Sequence, residues 1–163
     1  MSGRSRSVVV IGVGNAFRGD DAVGIEVARR LADLGRQPRI EVRVHEDEGL
    51  GLLELWDGAD AVVLVDCARS GAAPGTLQRI DATSRAAPLP PRRARGHAVG
   101  VAEAIELSRA LETLPRAVIA YGVEGARFEA GAELSEAVAG AVALASDAVR
   151  REALALVCAP QPG

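Results

Sequence analysis

The chain has 163 residues, 48% of them hydrophobic and 25% charged, which suits one soluble globular domain with a core of its own. Aromatics make up only 2%, so the core must be built from Ala, Val, Leu and Ile, which favours helices on a β-branched sheet over a sandwich or an aromatic-lined pocket. A formal charge of −3 argues against general nucleic-acid binding, and no segment approaches the length needed to span a bilayer.

The first informative stretch is Val8 to Gly24, VVVIGVGNAFRGDDAVG. Its apolar β-branched start is what a buried parallel strand needs, and the turn Gly12-Val13-Gly14 lets the backbone reverse at the strand's carboxyl end. Asp20 and Asp21 then fall in the first turn of an expected helix whose apolar positions are Val23, Val27, Leu31 and Leu34. Asp20 is expected to cap that helix. A strand, turn and helix in this order deliver polar groups to the rim of a sheet, where open α/β folds bind ligands. A dinucleotide site would need a third glycine where Phe17 stands, and two acids would repel a pyrophosphate. The GxxxxGK[ST] phosphate loop is also missing, and all 19 basic residues are arginines. The turn therefore reads as a site for a metal or for proton chemistry. MSGRSRS before the apolar run imitates an export signal, but the run is short and leads into GNAFRGDD instead of a small-residue cleavage site. A first strand and a cytoplasmic protein are expected.

Arg39 to Val44 alternates as a second strand would. Glu46, Asp47 and Glu48 precede a short amphipathic helix, Leu50 to Trp56, and acids there suit the positive end of a helix dipole. His45 is expected in a surface or rim role. Asp60 to Asp66, DAVVLVD, reads as a central, doubly covered strand that ends on Asp66, a carboxylate better placed for a cleft than for solvent. Cys67 and Cys158 fit neither a disulfide framework nor a zinc knuckle, and both are expected as buried thiols.

Ala68 to Gly75 is a turn-rich loop, and Thr76 to Ile80 is expected to add an edge strand. Asp81 to Gly96 carries three prolines and Arg85, Arg92, Arg93 and Arg95, a composition suited to a solvated loop or to one that meets an acidic surface or a carboxylate. His97 opens an expected helix to Leu114, with Val101, Ile105 and Leu111 on one face; the helix's positive end keeps the imidazole neutral and able to bind metal. Arg116 to Val123 reads as the last strand and Glu124 to Gly131 as a loop. Leu134, Val138, Val142, Ala145, Val149 and Leu156 describe a long helix over Glu133 to Leu156. The expected organisation is one domain over residues 1–158 with a disordered tail from Ala159 to Gly163.

Asp21, Asp66 and His97 all fall where a strand or loop meets a helix, on one sheet edge if the crossovers are right-handed. Two carboxylates and an imidazole suit a borderline divalent cation such as nickel or zinc, with positions left for water or substrate.

At these residues the chain resembles the hydrogenase maturation endopeptidases, which trim the C-terminal extension from the precursor of the large subunit of nickel–iron hydrogenases. The likeness rests on GVGNAFRGDDAVG at Gly12 to Gly24, VVLVDCARSGAAPGT at Val62 to Thr76 and GHAVGVAEAI at Gly96 to Ile105, with a weaker echo in YGVEGARFEAGAELS at Tyr121 to Ser135. It implies an α/β/α fold with a twisted, mainly parallel sheet of about five strands. It also implies metal contacts and catalysis by Asp21, Asp66 and His97, with nickel supplied by the precursor and other divalent ions able to substitute. Two departures stand out. Asp21 is shorter by one methylene than the glutamate that the family also uses, and His45-Glu46-Asp47-Glu48-Gly49 replaces an aspartate followed by glycines and a threonine. That second change leaves a non-cleaving docking protein of the same fold as the alternative.

Overall fold

A computed structural model describes residues 6–46, 51–84 and 100–160. Strand β1, Val8–Val13, is buried along its whole length, and β3, Ala61–Ala68, is buried from Ala61 to Val65. Continuous apolar runs of this kind belong to strands covered on both faces. Strands β2 (Ile40–His45), β4 (Leu77–Asp81) and β5 (Ala117–Glu124) complete one sheet in the order β2-β1-β3-β5-β4. The first four in that order run parallel, while β4 lies antiparallel at the edge against β5.

Alternation along each strand sorts the core into two layers. Val8, Val10, Val63, Val65, Ile119 and Val123 face helices α1 (Val23–Asp33) and α4 (Glu136–Cys158). Val9, Ile11, Val62, Leu64 and Val118 face α2 (Gly51–Trp56) and α3 (Val101–Ala110). The result is the expected three-layer α/β/α arrangement. Helix α1 is drawn onto the sheet because Gly24 has no side chain: a Cβ there would collide with the carbonyl oxygens of Val13 and Val65. This contact seats the start of α1 over the carboxyl ends of β1 and β3.

Several expectations change. Asp20 and Asp21 lie in a 3-10 turn, Gly19–Ala22, that precedes α1, and not in the α-helix itself. Asp66 does not end its strand, since β3 continues to Ala68. Leu34 caps α1 at its exposed end, and Leu111 is exposed just beyond α3. Both are the C-cap residues of their helices. Cys67 is buried as expected, whereas Cys158 is exposed at the last residue of α4. From the expected tail, Ala159 and Pro160 are described, with the Arg6 guanidinium donating to the Pro160 carbonyl at 2.9 Å. Residues 1–5, 47–50, 85–99 and 161–163 lie outside the described residues, so Asp47, Glu48, most of the proline-arginine segment and His97 do too.

Candidate functional site at the carboxyl edge of the sheet

The parallel register sets the stage. Gly12 of β1 pairs with Val44 of β2 and with Val65 of β3, so His45 and Asp66 stand one residue further on, on either side of Val13. Asp66 takes the parity of Val62 and Leu64 and so belongs to the α2/α3 face of β3, while Cys67 belongs to the α1/α4 face. One Asp66 oxygen accepts the Cys67 N–H at 2.8 Å, which fixes the carboxylate close to its own backbone.

The 3-10 turn packs against this end of β3. Asn15 shapes the approach to it, its side-chain oxygen accepting the Phe17 N–H at 2.9 Å in an Asx turn. The Asn15 N–H donates to the Asp21 carbonyl at 3.1 Å, and the Asp21 N–H donates to the Arg18 carbonyl at 3.1 Å. Asp21 is thereby held in a closed loop of backbone bonds and is only 9% exposed. The structure thus brings Asp21 and Asp66 to one edge of the sheet, with His45 on the same edge.

Asp20 has a different task from the cap its position suggested. It makes no side-chain cap for the 3-10 turn it lies in or for α1 after it. Its carboxylate, fully buried, instead accepts the N–H groups of Ala126 and Arg127 at 2.7 and 2.9 Å and both the N–H and the hydroxyl of Ser135 at 2.7 and 2.8 Å. Burial by itself would raise its pKa; the bonds from Ala126, Ser135 and Arg127 outweigh that and hold the carboxyl below the ordinary aspartate value. Asp20 therefore ties the 3-10 turn to the loop after β5 and to the start of α4.

Glu124 is the residue that sequence reasoning missed, having been assigned to a loop. It ends β5, is 3% exposed, and accepts the Ser70 N–H, the Ser70 hydroxyl at 2.8 Å and the Gly71 N–H at 3.0 Å. It fastens the β3–β4 loop that follows Asp66. The argument applied to Asp66, an acid at the carboxyl end of an apolar strand, would have singled it out. Beside it the Arg69 guanidinium sits 3.5 Å above the Phe128 ring, a cation–π contact within the same rim.

An α/β/α fold with two carboxylates at the carboxyl edge of a parallel sheet defines a class of proteins that work at their strand ends. A family model described as hydrogenase maturation protease matches residues 26–152, and the chain belongs to that family. The matched span contains Asp66 and His97, while the Gly12 to Gly24 motif precedes it. The hydrogenase expression/formation protein HupM of Azotobacter chroococcum mcd 1 is 27% identical over 130 residues, covering 79% of this chain and 62% of HupM. HupD of Rhodobacter capsulatus, of the same description, is 28% identical over 147 residues, covering 88% of this chain and 70% of HupD. The chain thus spans less than two thirds of the length of HupM. In fold, it is similar to the hydrogenase maturating endopeptidase HybD from E. coli, with a TM-score of 0.71 at 21% identity over 90% of this chain and 93% of HybD.

Proposed function

We propose that this protein is an endopeptidase that removes the C-terminal extension of a nickel–iron hydrogenase large-subunit precursor, with the precursor's nickel as the feature it recognises. The observation that carries the proposal is the family match, which spans Asp66 and His97. Asp21 and Asp66 supply carboxylate oxygens at one edge, donors suited to a divalent cation. Among the described residues, no group of three or more His, Cys, Asp or Glu side chains is gathered to hold a metal.

In this reading Asp21, Asp66 and His97 hold the nickel jointly with the precursor and so bring one peptide bond beside a carboxylate. Bound nickel supplies a Lewis acid there. Asp21 or Asp66 is the candidate general base, and the bonds from Cys67 and Asn15 keep both segments from drifting while a macromolecule docks. In this reading the protein acts in the cytoplasm; no helix among the described residues is long and apolar enough to cross a membrane.

The test is incubation of the purified protein with a nickel-loaded precursor, followed by mass spectrometry. Loss of the C-terminal extension, with none from a nickel-free precursor, is the expected result. A stable complex that keeps the extension would replace the peptidase with the docking protein that the altered His45 to Gly49 segment suggests.

A further inference from the structure

The chain's four aromatic side chains are not used alike. Trp56 and Tyr121 are buried and Phe128 lies under Arg69, whereas Phe17 is 76% exposed. Its backbone is nevertheless tied at both polar groups: the N–H donates to Asn15, and the carbonyl accepts the Gly131 N–H at 2.7 Å. A phenylalanine in water contributes little to folding, yet this one is presented from a fixed loop.

Beside it is a hollow of about 340 Å³ between the β1–α1 and β5–α4 loops, lined by Ala16, Phe17, Ala22, Ala132 and Leu134, with Glu26 and Glu133 at its polar side. The two walls are bonded to each other. Gly19 N–H donates to the Ala132 carbonyl at 3.1 Å, Asp20 N–H to the Arg127 carbonyl at 2.6 Å, and the Asp20 carboxylate adds its bonds to Ala126, Arg127 and Ser135. A hollow with braced walls and a rigid aromatic at its lip needs little ordering when a partner binds, which is how interfaces gain affinity from few residues.

The hollow also shares the 3-10 turn that carries Asp21, and Phe17 lies in the same hydrogen-bonded loop as Asp21. Gly19 and Ala22, at the two ends of the turn that holds Asp21, line the hollow, which puts it next to the point where a chain engaged at Asp21 would sit. We infer that Phe17 and this hollow receive a bulky apolar side chain of the precursor, from the segment flanking the bond to be cut, and so help to choose the substrate. The two glutamates disfavour an acidic segment at the same place. This inference rests on the precursor being the substrate.

Steady-state cleavage of the nickel-loaded precursor by the full chain tests it. Phe17→Ser should raise KM by roughly tenfold or more with kcat nearly unchanged, Phe17→Leu should keep KM close to the parent value, and the melting temperature should hardly move in either. An unchanged KM for Phe17→Ser, or a loss confined to kcat, overturns the inference. Should the parent protein leave the precursor uncut, the peptidase reading fails separately, and binding to immobilised precursor then decides: affinity roughly tenfold weaker in Phe17→Ser supports docking at Phe17, and equal affinity refutes it. A parent that sediments as a dimer and becomes monomeric on Phe17→Ser would make the patch an interface between copies, and the inference would fall.

Discussion

The carboxylate of Asp20 accepts both the backbone N–H and the hydroxyl of Ser135, at 2.7 and 2.8 Å, across 115 residues of sequence. Consecutive aspartates thus divide their labour: one fastens the 3-10 turn to the start of α4, and the other stands at the sheet edge. Replacing Asp20 by Ala takes a charged acceptor from three part-buried amides. At about 1 to 3 kcal/mol for each such group, a loss of ~3 kcal/mol or more is expected, or about 10 °C in melting temperature. Ser135→Ala, which keeps the backbone bond, should cost only ~1 kcal/mol. Thermal unfolding of the two variants checks the ordering.

Glu124 plays the matching part for the β3–β4 loop. Glu124→Ala should release Ser70 and Gly71, so that their amide protons exchange faster by at least about tenfold while those of β1 and β3 stay protected. Equal protection in the variant and the parent would show that the loop is held by something else.

The pair Asp66 and Cys67 separates a metal-centred site from a thiol nucleophile. Neighbouring residues on a strand face opposite ways, and Cys67 faces the α1/α4 core. Asp66→Asn and His97→Ala should lower precursor processing by about a hundredfold or more, and Cys67→Ser should leave it nearly unchanged. The reverse pattern, read from product mass over time, would make Cys67 the nucleophile.

Stability should fall at both ends of the pH scale through one cluster on the sheet's far edge. Arg79 pairs with Glu152 at 2.7 Å, and the Tyr121 hydroxyl donates to the same carboxylate at 2.7 Å. The Arg79 hydrogen bond, opposed by burial, holds the Glu152 carboxyl below its ordinary value of 4.5. Its stabilisation is therefore present above that value and lost as pH falls through the lower folded one. Burial and the Glu152 carboxylate push Tyr121 up from 10.0 to about 12, so its contribution is whole below pH 10 and lost as pH rises through 12. Tyr121→Phe should flatten the alkaline arm of a melting-temperature profile and leave the acid arm in place.

The strands were legible because burial on both faces leaves a mark that needs no partner to be seen: Val8 to Ile11 of β1 and Ala61 to Val65 of β3 are unbroken runs of Val, Ile, Leu and Ala. Helix α4 was equally plain, since Val138, Ala145 and Val149 recur at helical spacing and all three are fully buried. Helix ends were read less well, because Leu34 and Leu111 continue the apolar period to the C-cap, where both are exposed. Cys158, expected buried from the habit of free thiols, is exposed because it is the last residue of α4.

The sequence by itself determined the layered fold, the motif with its paired acids, and the family likeness, all of which live in local pattern. Tertiary structure alone decided which acid does what. Whether a carboxylate caps its own helix, bridges two loops or faces a rim depends on N–H groups that arrive from far along the chain, and no local pattern records them. Asp20 meets Ala126, Arg127 and Ser135, and Glu124 meets Ser70 and Gly71, only because the four parallel strands bring their carboxyl ends to one edge.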